Sequence, residues 1–232
     1  MTTLYTAVGR FQRRGNIGGF SCPVIFIGQK EYMVDLQEMM LWTILNWSIL
    51  EDYQIEELYR HKSVEVAYDS HRSSHECLQR LQRRGLVVSG TGETDEDALY
   101  HLLSCLYVIP LSNSMLLKTI TFFKLTLISR LPVSAAKKVF RYRPLTRCEQ
   151  QVIRLSSQAR LSTAEIIKCM DQKACDLTSA EHILDVLYDD EETTSDNIAS
   201  LARCFDSRQP VILAIANLYL CKQIIFERGD IA

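Results

Sequence analysis

The sequence predicts a mainly α protein with a small β wing in its N-terminal half and a helical unit in its C-terminal half. Three observations predict it. Apolar residues recur at helical spacing over 34–47, where Leu36, Met40, Ile44 and Trp47 form one stripe and Leu41 and Leu45 a second. A polar segment over 70–84 has a narrow apolar arc, breaks at Gly85 and runs into the short apolar stretch LVVSG. After Leu145, helix-sized segments follow one another with only polar turns between them.

The elements follow in order. Residues 1–30 hold a basic piece, GRFQRRGN, and an apolar run, CPVIFIG, which predict an arm and a short strand. The intervening GNIGGF is glycine-rich, but its spacing fits no phosphate loop, and a turn explains it. Double striping predicts that the helix over 34–47 is buried on most sides. A shorter helix fits DYQIEELYRHK, with Ile55, Leu58 and Tyr59 facing inward, and SVEVAY reads as an irregular or strand-like step. In the next helix Ser74, Cys77, Leu78 and Leu81 fall within one arc; Arg72, Glu76, Gln79 and Arg83 occupy the opposite arc, with His75 and Arg80 on its flanks. Gly85 is its C-terminal cap, LVVSG a strand and SGTG a turn. Thr94 caps a helix whose first turn is acidic, as the helix dipole favours, and YVIPL closes the unit. A long apolar helix is expected over 113–130, stopping at Pro132, followed by a basic connection, AAKKVFRYRPLTR. TRCEQQVIRLSSQ, STAEIIKCMDQ and TSAEHILDVLYDD predict three more helices. The run VILAIANLYLCKQIIFE suits helix or strand by pattern, and its length favours a helix.

Composition sets the bounds. The chain has 232 residues, 47% of them hydrophobic, enough to bury a core. Its net charge of −2 hides an asymmetry: 17 Lys/Arg against 14 Asp/Glu up to Leu145, and 9 against 14 beyond it. Polyanion binding therefore belongs to the N-terminal part. Eight cysteines without a C-x-x-C pair, most inside apolar segments, read as reduced core residues of a cytoplasmic protein. No metal or other cofactor is expected, since His75, Cys77, Cys169 and Cys175 do not make a ligand cluster. The segment 115–131 is broken by Lys118 and Lys124 and is short for a bilayer, so no membrane span is expected, nor is a signal peptide. Nucleophile elbows, phosphate loops and paired metal ligands are lacking and the five histidines are scattered, so no enzymatic activity is expected.

Three helices, the third polar outside, then a glycine break and a short strand, are the plan of a winged helix-turn-helix. HECLQRLQRRGLVVSGTG resembles the end of the recognition helix and the first wing strand of bacterial winged-helix transcriptional regulators of the MarR and PadR types, whose L-x-x-L-x-x-x-G-L-V signature here reads Leu78, Leu81, Gly85, Leu86 and Val87. The likeness covers about 31–111. It implies sequence-specific DNA binding in transcription control, as a homodimer on a two-fold-related site. A helix in the major groove needs donors and acceptors at helical spacing: Arg72 or Arg83 for guanine, Gln79 for adenine, Glu76 for a cytosine amino group, with His75 and Arg80 placed for phosphates. The stretch SGTGETDED is acidic where a wing usually carries Lys or Arg, so phosphate contacts are expected instead from Arg13 and Arg14 and from Lys137, Lys138, Arg141 and Arg143. The same acidity leaves a second reading, a winged-helix module that binds a protein and not DNA.

The C-terminal unit opens with Leu145, Thr146, Glu149, Val152 and Leu155, similar to the L-T-x-x-E-x-x-V-x-x-L start of a LuxR-type helix-turn-helix. The following helix carries Glu181, Asp185, Asp189 and Asp190 and no Lys or Arg, a poor reader of DNA. A degenerate helix-turn-helix or dimerisation module results. The expected organisation is an arm and strand over 1–30, a winged helix-turn-helix over 31–111, a long helix and connection over 112–145, and a helical domain over 146–232. Trp42, Trp47, Phe122 and Phe123 are core aromatics, or line a pocket for an effector whose identity the sequence leaves open.

Overall fold

The computed structural model describes residues 1–13, 23–65, 72–111, 143–173, 179–190 and 192–229. The chain opens on a strand, β1 (Thr2–Ala7), and a three-stranded antiparallel meander, β2 (Arg10–Arg13), β3 (Pro23–Ile27) and β4 (Lys30–Met33). Asp35 then caps α1 (Leu36–Leu45) in a capping box: its carboxylate accepts the Glu38 amide at 2.9 Å, and Glu38 reaches back to the Asp35 amide at 3.2 Å. Gln37, Glu38, Leu41, Trp42, Ile44 and Leu45 are buried, and Trp42 donates its indole N–H to the Val8 carbonyl at 3.2 Å. Trp47 lies beyond the helix with a left-handed φ of 58°, and the Leu36 end of the expected stripe is exposed. Strand β5 (Leu50–Glu51) leads into α2 (Asp52–Glu65), which buries Ile55 and Tyr59 but exposes Leu58. The SVEVAY step begins as the last turn of α2, and its remainder lies outside the described residues.

Ser73 caps α3 (Ser74–Arg83), which buries Cys77, Leu78 and Leu81. Its C-terminus is a Schellman motif: Gly85, at φ +70°, donates to the Gln82 carbonyl at 2.9 Å, and Leu86 to the Leu81 carbonyl at 2.9 Å. Strand β6 (Val87–Gly92) follows. Residues 89–92, expected as a turn, are strand, because β1 pairs with them along its whole length, Thr2 with Gly92 through Ala7 with Val87. β1 also pairs with β5, so the sheet order is β5-β1-β6. Residues 2–7 are therefore the central strand of the sheet and not part of a free arm. Helix α4 (Asp95–Leu103), capped by Thr94, lies directly on β6: a Cβ at Gly90 would stand 2.1 Å from the Leu102 nitrogen.

The second half repeats this plan. Its elements are β7 (Tyr107–Pro110), α5 (Arg147–Gln158), α6 (Thr163–Asp171), α7 (Ala180–Leu187), α8 (Ile198–Leu201), a 3-10 turn (Ala202–Cys204), α9 (Arg208–Leu220) and β8 (Ile224–Glu227). β7 is antiparallel to β8 and bridges Ser162 between α5 and α6, as β1 is antiparallel to β6 and pairs β5 between α1 and α2. The register corresponds residue by residue: Leu4 faces Glu51 and Gly90, while Tyr107 faces Ser162 and Glu227. Thr146 and Glu149 form a capping box as Asp35 and Glu38 do. The Glu51 amide donates to Gln54 at 3.0 Å and the Ser162 amide to Glu165 at 2.6 Å. α9 ends in the same Schellman motif, with Lys222 (φ 59°) in the place of Gly85. The counterpart of α3 is therefore α9, and α7 and α8 are an insertion; the expectation of α7 as the third helix of the unit gives way to this topology.

The final apolar run is thus half helix and half strand. α9 buries Val211, Ile212, Ala214, Ile215, Ala216, Leu218 and Tyr219, so it is principally a core helix. One hydrophobic cluster runs through both halves, and residues 31–111 and 146–232 do not keep separate cores. The Tyr219 hydroxyl joins them: it accepts from the Trp47 amide at 2.9 Å and lies 3.2 Å from the Ala7 carbonyl. The Gly9 amide donates to the Phe226 carbonyl at 2.8 Å. The expected helix over 113–130, Phe122 and Phe123 lie outside the described residues, while Trp42 is buried in the core and Trp47 donates to the Ile224 carbonyl at 3.2 Å.

Candidate nucleic-acid interface

Helix α3 is held on three sides. Leu78 and Leu81 enter the core, α1 and α2 pack against it, and β6 continues from its end. The local sequence sets this up: Ser73 receives the Glu76 amide at 3.2 Å, and the Glu76 carboxylate receives the Ser73 amide at 3.0 Å. The buried thiol of Cys77 is pushed up in pKa by desolvation and lies 3.7 Å from the Tyr59 hydroxyl, a packing role and not a reactive one.

The polar side chains divide into two sets. Arg72, Glu76 and Arg80 are engaged within the protein. Arg72 pairs with Asp35; burial works against that carboxylate, but the Glu38 amide and Arg72 outweigh it and hold its pKa below the usual carboxylate value. Arg80 donates to Glu38 Oε1 at 2.8 Å, and Arg84 to Glu38 Oε2 at 2.8 Å and to the Met33 carbonyl. Glu38 is 1% exposed, so two guanidiniums and a backbone amide stand in for its lost hydration. Arg72 thus orients α3 against α1, and Glu76 completes its cap.

The second set is exposed. His75, Gln79 and Arg83 succeed one another by four residues along one stripe, with Gln79 Nε2 2.8 Å from His75 Nε2. Arg83 has no hydrogen-bond or ion-pair partner among the described residues. Arg80 borders the stripe with half of its side chain in solvent.

Topology supplies the second half with the equivalent stripe on α9, and there the chemistry differs. Ile212, Ala216 and Leu220 stand where α3 has His75, Gln79 and Arg83, and Leu213 where it has Glu76. Leu213 is 55% and Leu220 50% exposed. Such a face offers neither donors nor acceptors.

The expected phosphate contacts fare unevenly. Arg14, Lys137, Lys138 and Arg141 lie outside the described residues, and Arg13 is described only as the last residue of β2, opposite Pro23. Arg143 is engaged internally: it donates to Glu149 Oε1 at 3.0 Å and to Asn217 Oδ1 at 3.0 Å. Glu149, also 1% exposed, takes Asn217 Nδ2 at 2.5 Å, so it repeats the part of Glu38. The acidic residues after β6 are partly occupied as well: Asp95 accepts from Thr2 at 2.8 Å, and Glu96 from Arg208 at 3.4 Å. Lys30 and Arg228, to which the sequence assigns no role, gather with Arg84 beside Arg83; no signal in a single segment places them together.

Among the described residues no three His, Cys, Asp or Glu side chains gather as a metal site, and no helix is long and apolar enough to cross a membrane. No family model matches the chain, and neither does any curated protein or solved structure.

Proposed function

We propose that this protein binds duplex DNA and regulates transcription, reading base edges in the major groove with the exposed stripe of α3. The observation that carries the reading is the stripe itself: His75, Gln79 and Arg83 point away from a helix whose opposite side is anchored in the core. An amide and a guanidinium at helical spacing are the groups that pair with adenine and guanine edges. In this reading each half is a winged helix in which β1, or β7, takes the place of the returning wing strand. The sheet order β5-β1-β6 supports it, because the strand between the first two helices and the strand after the third both pair with that element. Homodimerisation on a two-fold-related site belongs to the same proposal.

A second reading, a protein-binding module without DNA contact, is favoured by the exposed Leu213 and Leu220 on α9. One experiment decides between the two: selection from random duplex DNA with the purified protein. An enriched motif, lost with Gln79→Ala and Arg83→Ala variants that keep their melting temperatures, supports DNA reading. Enrichment no greater than that of a mock selection refutes it.

A further inference from the structure

At the C-terminal end of the reading stripe, and sharing Arg83 with it, a cavity of about 240 Å³ opens between the β3–β4 hairpin, the end of α3 and the chain leaving β8. Ile27, Lys30 and Tyr32 come from the hairpin, Arg83, Arg84 and Gly85 from α3, and Arg228 and Gly229 from the segment after β8. Four of these eight residues are cationic, and no Asp or Glu lines the cavity. Arg84 is neutralised by the carboxylate of Glu38 beneath it. Arg83 and Arg228 have no acidic partner among the described residues; the Arg228 carbonyl accepts from Arg160, but its guanidinium is not so engaged. Like charges brought together without a counter-charge repel one another, and a bound anion relieves that repulsion.

The glycine at the end of α3 is fitted to this arrangement. A Cβ at Gly85 would lie 3.0 Å from Arg228 Nη1 and 3.9 Å from its Cζ, so the guanidinium occupies the space a side chain would take. Backbone conformation alone does not demand glycine here, because Lys222 holds the equivalent position with φ 59°. What distinguishes position 85 is the arginine laid against it.

We infer that this cavity binds a phosphate group, held by the guanidiniums of Arg83 and Arg228 with Lys30 at its rim. Guanidiniums match the oxygens of a phosphate in pairs, and Tyr32 and Ile27 give an apolar wall against which the ester-linked group lies. The phosphate belongs either to a small phosphomonoester or to the backbone of a bound duplex, and the site stands whether or not α3 reads bases.

The test is calorimetric titration of the full chain with AMP and, separately, anisotropy with a labelled mixed-sequence duplex. Wild type is compared with Arg228→Gln, Arg228→Lys and, as a remote charge control, Lys222→Gln. The site predicts that Arg228→Gln weakens binding of at least one probe tenfold or more, that Arg228→Lys recovers part of the loss, and that Lys222→Gln changes little. Loss in the AMP titration assigns a small ligand; loss confined to the duplex assigns a backbone phosphate. Absence of AMP binding at millimolar concentration, together with duplex binding indifferent to Arg228→Gln, overturns the inference. Melting curves of the variants that coincide with wild type tie any loss to the site, and base reading by α3 is tested independently by Gln79→Ala.

Discussion

Replacing Glu38 by glutamine probes the junction between α1 and α3. The carboxylate is almost wholly buried and receives Arg80 and Arg84 at 2.8 Å each and the Asp35 amide at 3.2 Å. Glutamine has nearly the same shape, so no cavity opens, but its amide group turns an N–H toward a guanidinium. Two hydrogen bonds to charged groups are at stake, each worth about 1.5–3 kcal/mol. Arg80 is half exposed and Arg84 about a third exposed, so both regain hydration when released, which cuts the loss. The weakened capping box adds roughly 0.5 kcal/mol. The net destabilisation is about 2–3 kcal/mol, which for a chain of this length lowers the melting temperature by roughly 4–12 °C. Glu149→Gln has a matching effect, because Arg143, Asn217 and the Thr146 amide converge on Glu149 in the same way. Urea unfolding of both variants, with the exposed Glu57→Gln as reference, measures the difference. A loss below about 0.5 kcal/mol for Glu38→Gln, or losses for the two variants that differ by more than about 2 kcal/mol, refutes the assigned equivalence.

Three further outcomes are expected. Tyr219→Phe leaves the Trp47 amide without its acceptor and deprives Thr6 of a partner, and costs about 1–3 kcal/mol; unfolding followed by tryptophan fluorescence and by circular dichroism still coincides, since one core serves both halves, and separate transitions would contradict this. Lys222→Gly relieves a left-handed residue at about 1 kcal/mol while giving up a roughly 0.5 kcal/mol contact over the Trp47 ring, so thermal unfolding shows a small net stabilisation; a loss above about 1 kcal/mol contradicts it. Hydrogen bonds from Lys168 and Thr193 hold the Asp190 pKa down at about 2. A carboxylate depressed in the folded state stabilises it above the unfolded pKa near 4, and that contribution is lost as pH falls from about 4 toward 2. Asp190→Asn therefore shows a shallower decline in stability over that range than wild type, and an unchanged decline refutes the pairing.

The parts of the fold legible in the sequence are those whose causes lie within a few residues. Thr94 marks a helix start by its capping chemistry, and Gly85 marks a helix end. β1 was not legible. TTLYTA has only weak alternation, and its partners lie beyond α1 and beyond α3, so nothing local makes it a strand. The repeat was hidden because equivalent positions keep a role while changing residue: Asp35 and Thr146 cap, Arg80 and Asn217 hold a buried glutamate, Gly85 and Lys222 take a left-handed turn. The candidate interface was half legible for a related reason. The arc of α3 that faces away from Leu78 and Leu81 follows from periodicity, but the claims of Asp35 on Arg72 and of Glu38 on Arg80 depend on where α1 lies. Arg228 joins Arg83 only because β8 pairs with β7, which carries the C-terminal segment back to the N-terminal half.

The most direct test is an anisotropy titration of the selected duplex at several salt concentrations, with wild-type protein and the His75→Ala/Gln79→Ala/Arg83→Ala variant. DNA reading through α3 predicts tight binding that weakens steeply with salt, and a loss of about 1–3 kcal/mol of discrimination for each base contact removed, so that the variant binds selected and scrambled duplexes alike. A variant that still prefers the selected duplex as strongly as wild type does would show that α3 does not read DNA.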